Sequence, residues 1–245
     1  MKRVIILQAR MTSTRLPGKV LMDVAGSPML AQQLRRLARC RRADEIVVAT
    51  TTNATDDPVV AVARDEGVGW FRGSEADVLA RYIGAAREAR ADVVVRVTAD
   101  CPLIDPQESD RVIEALVAQQ GQHDYASNVV RRTYPQGLDT EALHIDTLER
   151  LDRLAQSSPA REHVTYCILN EHPELFAICS VTDTENNSDL RWTVDMPQDL
   201  AMVRRLYAEL NLGERAVGYR ELLAYVRANP AVAAVNAGVT QKRAS

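Results

Sequence analysis

The chain has 245 residues, 46% of them hydrophobic, and its 30 Lys and Arg against 33 Asp and Glu leave a net charge of −3. That length permits one large α/β domain with a small inserted subdomain, and the charge balance supplies no basic field for nucleic acid. No apolar run approaches the roughly 18 residues of a membrane span, and the four apolar residues after Met1-Lys2-Arg3 are too few for a signal-peptide core.

In chain order, Val4–Leu7 reads as a buried strand, and the loop after it runs Gln8-Ala9-Arg10-Met11-Thr12-Ser13-Thr14-Arg15-Leu16-Pro17-Gly18-Lys19. Arg10, Arg15 and Lys19 give it three cations, and Lys occurs otherwise only at positions 2 and 242. Guanidinium groups grip phosphate oxygens in pairs, whereas an ammonium acts as a point charge. Ser13, Thr14 and the loop N–H groups add neutral donors, so this loop is a candidate cradle for a triphosphate. The alternative is an ordinary solvated basic loop, since neither G-x-x-x-x-G-K-[ST] nor G-x-G-x-x-G is present. Helical spacing follows over 28–39 with Ser27 as a candidate N-cap, then a strand over 45–49 ending in Thr50–Asn53. A helix over 57–66, a strand over 68–71, a turn at Gly73–Asp77 opening a helix to Arg87, and a strand over 92–97 complete a β/α alternation. That pattern predicts a Rossmann-like, mostly parallel sheet with helices on both faces.

Arg96 interrupts the last apolar run and needs a partner if buried. Asp100 stands just past that strand's carboxyl end, where open α/β sheets bind ligands. Asp105-Pro106 opens a helix over 107–119. The segment Tyr134-Pro135-Gln136-Gly137-Leu138-Asp139-Thr140-Glu141 breaks the alternation and places Asp139 and Glu141 on one face of a strand. A helix over 145–154 follows, then His163 inside a helical stretch, a strand over 175–181 and a polar loop over 183–189. Leu190–Asp195 reads as a strand whose Asp195 parallels Asp100, ahead of a Pro197-started helix that Asp199 caps. Helices over 197–210 and 219–228 and a frayed or packed tail from Asn229 close the chain. Cys40, Cys101, Cys167 and Cys179 match no zinc spacing, so a reduced, cytoplasmic protein is expected.

The first loop, the Thr98–Pro106 and Arg191–Asp199 turns, the PxGLD-x-E segment and Arg161-Glu162-His163-Val164 are similar to the cytidylyltransferases that make CMP-activated acidic sugars. The resemblance is greatest to the spore-coat polysaccharide biosynthesis protein F group, relatives of the CMP-KDO and CMP-sialic acid synthetases. It implies transfer of CMP from CTP to an acidic sugar or similar acceptor, with release of pyrophosphate. It also implies that Arg10, Arg15 and Lys19 meet the CTP phosphates alongside Gln8, Ala9 and Ser13. Asp100 and Asp195 would hold Mg2+. Thr50 and Arg96, at strand ends, would select the base, and Asp77 and Arg81 would lie near the nucleotide. Asp139, Glu141 and His163 are candidate acceptor contacts, and a homodimer formed through residues 130–190 is expected by analogy. Thr12 and Ala99 stand where the family pattern has Gly. Two other readings compete: a nucleotide-sugar-dependent glycosyltransferase, disfavoured because Pro102 spoils an Asp-x-Asp pattern, and a non-catalytic nucleotide-binding protein.

Overall fold

The computed structural model describes residues 1–118 and 121–240. Its strands are β1 (Arg3–Gln8), β2 (Asp23–Val24), β3 (Ser27–Pro28), β4 (Glu45–Thr51), β5 (Gly69–Gly73), β6 (Val93–Thr98), β7 (Tyr125–Ser127), β8 (Glu141–His144) and β9 (Ile178–Ser180). Its α-helices are α1 (Met29–Leu37), α2 (Asp57–Asp65), α3 (Val78–Glu88), α4 (Pro106–Val117), α5 (Ile145–Leu154), α6 (Ser158–Glu162), α7 (Pro197–Leu210), α8 (Tyr219–Ala228) and α9 (Pro230–Ala233). The predicted helix end at Gln119 lies outside the described residues.

Seven strands form one sheet in the order β5-β4-β1-β6-β8-β7-β9. β5, β4, β1 and β6 run parallel, and β8 is antiparallel to both β6 and β7. The parallel strands are apolar on both faces because helices cover both. Val4 and Ile6 join the core under α3, α5 and α6, while Ile5 and Leu7 join that under α1, α2 and α4. A third core gathers Tyr134, Leu138, Trp192 and the inner faces of α7, α8 and α9.

Four local expectations are corrected. Ser27 does not cap α1; it pairs with Val24 in a small hairpin, and Pro28 takes the N-cap position. Leu190–Asp195 is no strand: its one ladder contact among the described residues is the isolated bridge Gln136–Arg191. That approach requires Gly137, whose φ is 109° and where a Cβ would lie 2.5 Å from the Thr193 nitrogen. Asp139 precedes β8, so it shares no strand face with Glu141. His163 ends α6 as its C-cap rather than sitting inside a helix.

Candidate active site

β1 lies between β4, reached through α1, and β6, reached through β4 and β5. The carboxyl ends of β1 and β6 are therefore a topological switch point, where a crevice opens. Two loops leave this point, residues 9–18 after β1 and 99–105 after β6. They stay in register where the Ala9 N–H donates to the Ala49 carbonyl and the Ala99 N–H to the Gln8 carbonyl, at 3.1 and 3.0 Å.

The first loop folds back on itself. Gly18 takes a left-handed φ of 71°, and its N–H donates to the Met11 carbonyl at 2.9 Å. The Met11 N–H in turn donates to Asp56 Oδ1 at 2.8 Å. A single 3-10 turn over Lys19–Leu21 then carries Lys19 into the crevice.

Lys19 Nζ is the hub. It donates to the Val194 carbonyl at 2.6 Å and to Asp195 Oδ1 at 2.9 Å, and lies 3.4 Å from Asp100 Oδ2. Arg15 Nη2 reaches the same Asp195 oxygen at 2.9 Å. Burial alone would lower the Lys19 pKa, but Asp100 and Asp195 outweigh it and hold the ammonium above its ordinary value. Burial would likewise raise the Asp100 carboxyl, yet Lys19 and the Thr98 hydroxyl keep it below the ordinary range. Arg10 is looser, half-exposed and 3.7 Å from Glu75 Oε1.

Asp195 is held from behind by a buried clamp. Arg191 Nη2 donates to Asp195 Oδ2 and Arg191 Nε to Asp199 Oδ1, both at 2.9 Å. Asp199 Oδ2 accepts the N–H groups of Asp195 and Met196 at 3.0 and 2.9 Å, the helix-capping role expected of it. Asn236 Nδ2, from the tail, donates to Asp199 Oδ1 at 2.8 Å and to the Arg191 carbonyl at 3.0 Å. The Val194 N–H donates to the Asp100 carbonyl at 2.7 Å, which ties the two acidic turns together across the crevice.

The resulting cleft has a volume near 270 Å³ and is lined by Gln8, Ala9, Arg10, Ser13, Arg15, Lys19, Asp100, His163 and Asp195 among others. Five sequence candidates do not line it. The Thr50 hydroxyl turns inward to Asp56 at 3.0 Å. Asp77 caps α3 and pairs with Arg161. Arg96 faces Glu141 in register across β6 and β8 and forms a largely buried ion pair with it. Asp139 pairs with Arg132 at 2.6 Å, and Glu141 also accepts from the Tyr125 and Thr165 hydroxyls. Sequence reasoning missed the positioning groups Arg191 and Asn236. Arg191, four residues before Asp195, carried a weak signal; a lone Asn in a polar tail carried none. Arg81 does line the cleft; it is almost fully buried, its Nε lacks a partner, and burial pushes its guanidinium pKa down.

Among the described residues no three His, Cys, Asp or Glu side chains cluster as a metal cage. Two carboxylates that converge on one ammonium nitrogen nevertheless fit a hard cation that keeps most of its ligands as water and phosphate.

A family model described as Cytidylyltransferase matches residues 4–223. The chain is 33% identical over 233 residues to the spore coat polysaccharide biosynthesis protein SpsF of Bacillus subtilis, covering 92% of this chain and 94% of that one. A solved cytidylyltransferase from Leptospira borgpetersenii superposes with a TM-score of 0.91 at 30% identity, covering 99% of this chain and 100% of that one. A CMP:2-keto-3-deoxy-manno-octonic acid synthetase solved with CTP has the same fold, with a TM-score of 0.67 at 20% identity over 86% of this chain and 100% of that one. The cation-lined cleft at the switch point thus belongs to a nucleotidyltransferase, and the chain is a member of the cytidylyltransferase family.

Proposed function

We propose that this cleft transfers CMP from CTP to a small acidic sugar or similar acceptor, releasing pyrophosphate, in the synthesis of surface-polysaccharide precursors. The observation that carries the reading is Lys19 Nζ bridging Asp100 and Asp195 in a cleft also lined by Arg10, Arg15 and Arg81. The Bacillus relative, a spore coat polysaccharide biosynthesis protein, and the CTP-bound octonic acid synthetase support the substrate class.

In this reaction an acceptor oxygen forms a bond to the α-phosphorus while the bond to the bridging β-oxygen breaks. The protein need only align the groups and hold the charge that develops. Arg10, Arg15 and Lys19 hold the β- and γ-phosphates and stay with the departing pyrophosphate. Gln8, Ala9 and Ser13 frame the nucleotide from the end of β1, and Arg81 adds a desolvated cation from the floor. Asp100 and Asp195 would hold Mg2+, which when bound supplies Lewis-acid polarisation of the phosphate oxygens. His163 lies on the cleft wall formed by the turn after α6, and is the acceptor-side contact in this reading.

The test is pyrophosphate release from each of the four NTPs, with magnesium, against a panel of sugar acids. Release with CTP and an acidic sugar is the expected result. Binding of CTP without turnover on any acceptor, or transfer of a sugar from a CMP-sugar, would overturn the proposal.

A further inference from the structure

A second cavity, near 700 Å³, lies away from the cleft, between the end of α1, the start of α4 and residues 216–218 ahead of α8. It shares no lining residue with the cleft. Arg36, Arg39 and Arg41 line it. Arg36 is 3% exposed, and its guanidinium meets only backbone: Nε donates to the Ile104 carbonyl at 2.7 Å and Nη2 to the Val217 carbonyl at 3.1 Å. Its Nη1 is buried with no partner among the described residues. The nearby Asp105 favours the charge through space but makes no bond to the guanidinium: its carboxylate caps α4 and accepts the Tyr219 N–H at 2.6 Å, while Asp110, also on the lining, accepts the backbone N–H groups of Arg41 and Arg42. The Arg39 and Arg41 side chains make no ion pair or hydrogen bond among the described residues. Arg42 and Arg111 line the cavity too, but each has its own glutamate.

A buried cation without a counter-ion is costly unless something pairs with it. The molecule supplies its own standard for comparison. Arg81, in the nucleotide cleft, has the same features: nearly complete burial, a bond to a backbone carbonyl, an orphaned guanidinium nitrogen, and a pKa pushed down by burial as that of Arg36 is. Arg81 lies where the proposed substrate brings phosphate.

We propose that the cavity around Arg36, Arg39 and Arg41 is a second oxyanion site, which takes the phosphate group of a small phosphorylated molecule or inorganic phosphate itself. Three guanidiniums match the paired oxygens of a phosphate, and the volume is that of a small-ligand pocket. Arg36 holds the Ile104 carbonyl, in the loop that starts beside Asp100, so an occupant there bears on the catalytic loop from its far side.

The test uses the full chain carrying Lys19→Ala, which weakens phosphate binding in the cleft. Isothermal titration with inorganic phosphate and, separately, with glucose 6-phosphate should still find one site. Tighter binding of the sugar phosphate identifies a phosphorylated metabolite, and equal affinities identify free phosphate. Adding Arg39→Ser and Arg41→Ser, both exposed side chains with no structural partner, should weaken that site at least tenfold with an unchanged melting temperature. No binding to the Lys19→Ala protein, or unchanged binding after the two serine substitutions, would overturn the proposal.

Discussion

The two halves of the sheet treat buried charge in opposite ways. At the seam where the antiparallel half begins, Arg96 of β6 and Glu141 of β8 sit opposite each other on paired strands, and Glu141 also takes the Tyr125 and Thr165 hydroxyls at 2.7 and 2.5 Å. That charge is enclosed by neighbours on fixed strands and helices. In the parallel half, Lys19, Arg15, Asp100 and Asp195 come from loops far apart in sequence and meet at an open cleft. Their pairing can be exchanged for a ligand. Burial of a paired charge is therefore a poor guide to function here; what distinguishes the site is charge paired between loops and left open on one side.

The strongest way to break this comparison is to remove one member of each set. Glu141→Ala leaves Arg96 buried and unpaired, and should cost about 3–5 kcal/mol in urea unfolding. A cost near zero would show that Arg96 can relax into solvent, and the contrast between the halves would fail. Lys19→Ala and Asp100→Asn should each lower turnover by about 100-fold or more, the scale of one lost electrostatic contact to a transition state. Their folds should survive, since both groups border a cleft. Wild-type turnover in either would remove that residue from the chemistry.

A smaller effect sharpens the same point. Asn236→Ala removes two bonds from the clamp behind Asp195, and should destabilise the fold by about 1 kcal/mol per lost bond. Because the clamp positions a carboxylate, it should also raise the magnesium concentration needed for half-maximal rate, while binding of CTP without metal is unchanged. A melting-temperature drop with an unaltered magnesium dependence would make Asn236 structural only.

The smallest effect is on pH. Asp100 titrates below its ordinary value of 3.8 when folded, so its contribution to stability is present above that value and fades as pH falls through the lowered pKa. Lys19 titrates above 10.5, so its contribution is complete below that value and fades as pH rises through the raised pKa. Asp100→Asn should flatten the acid limb of the stability profile and leave the limb between these values level. An unchanged acid limb would mean that the pair adds nothing to folding.

Much of the parallel half was legible in the sequence. Strands β1, β4 and β6 are short apolar runs, and Pro106 and Pro197 mark helix starts after Asp100 and Asp195. The three loop cations and the two acids could be named because they stand next to those strong signals. The antiparallel half was not readable in this way. Strands β7, β8 and β9 have only three, four and three residues, too few for alternation to fix a face. Leu190, Trp192 and Val194 alternate like a strand, but burial in the third core imposes that pattern without a ladder. Arg96 was a candidate base contact and Glu141 a candidate acceptor contact because sequence shows each charge and not the opposite charge registered beside it. Thr50 is ambiguous in sequence for a similar reason: a hydroxyl at a strand end can face the crevice or turn inward, and here Asp56 draws it in.

Lys19 and Arg15 pair with carboxylates of the chain itself, so the charges of the cleft are close to balanced. On the proposed function, an arriving triphosphate displaces carboxylates instead of meeting bare cations. Its affinity is the difference between two sets of ion pairs, and is smaller than a count of positive side chains implies.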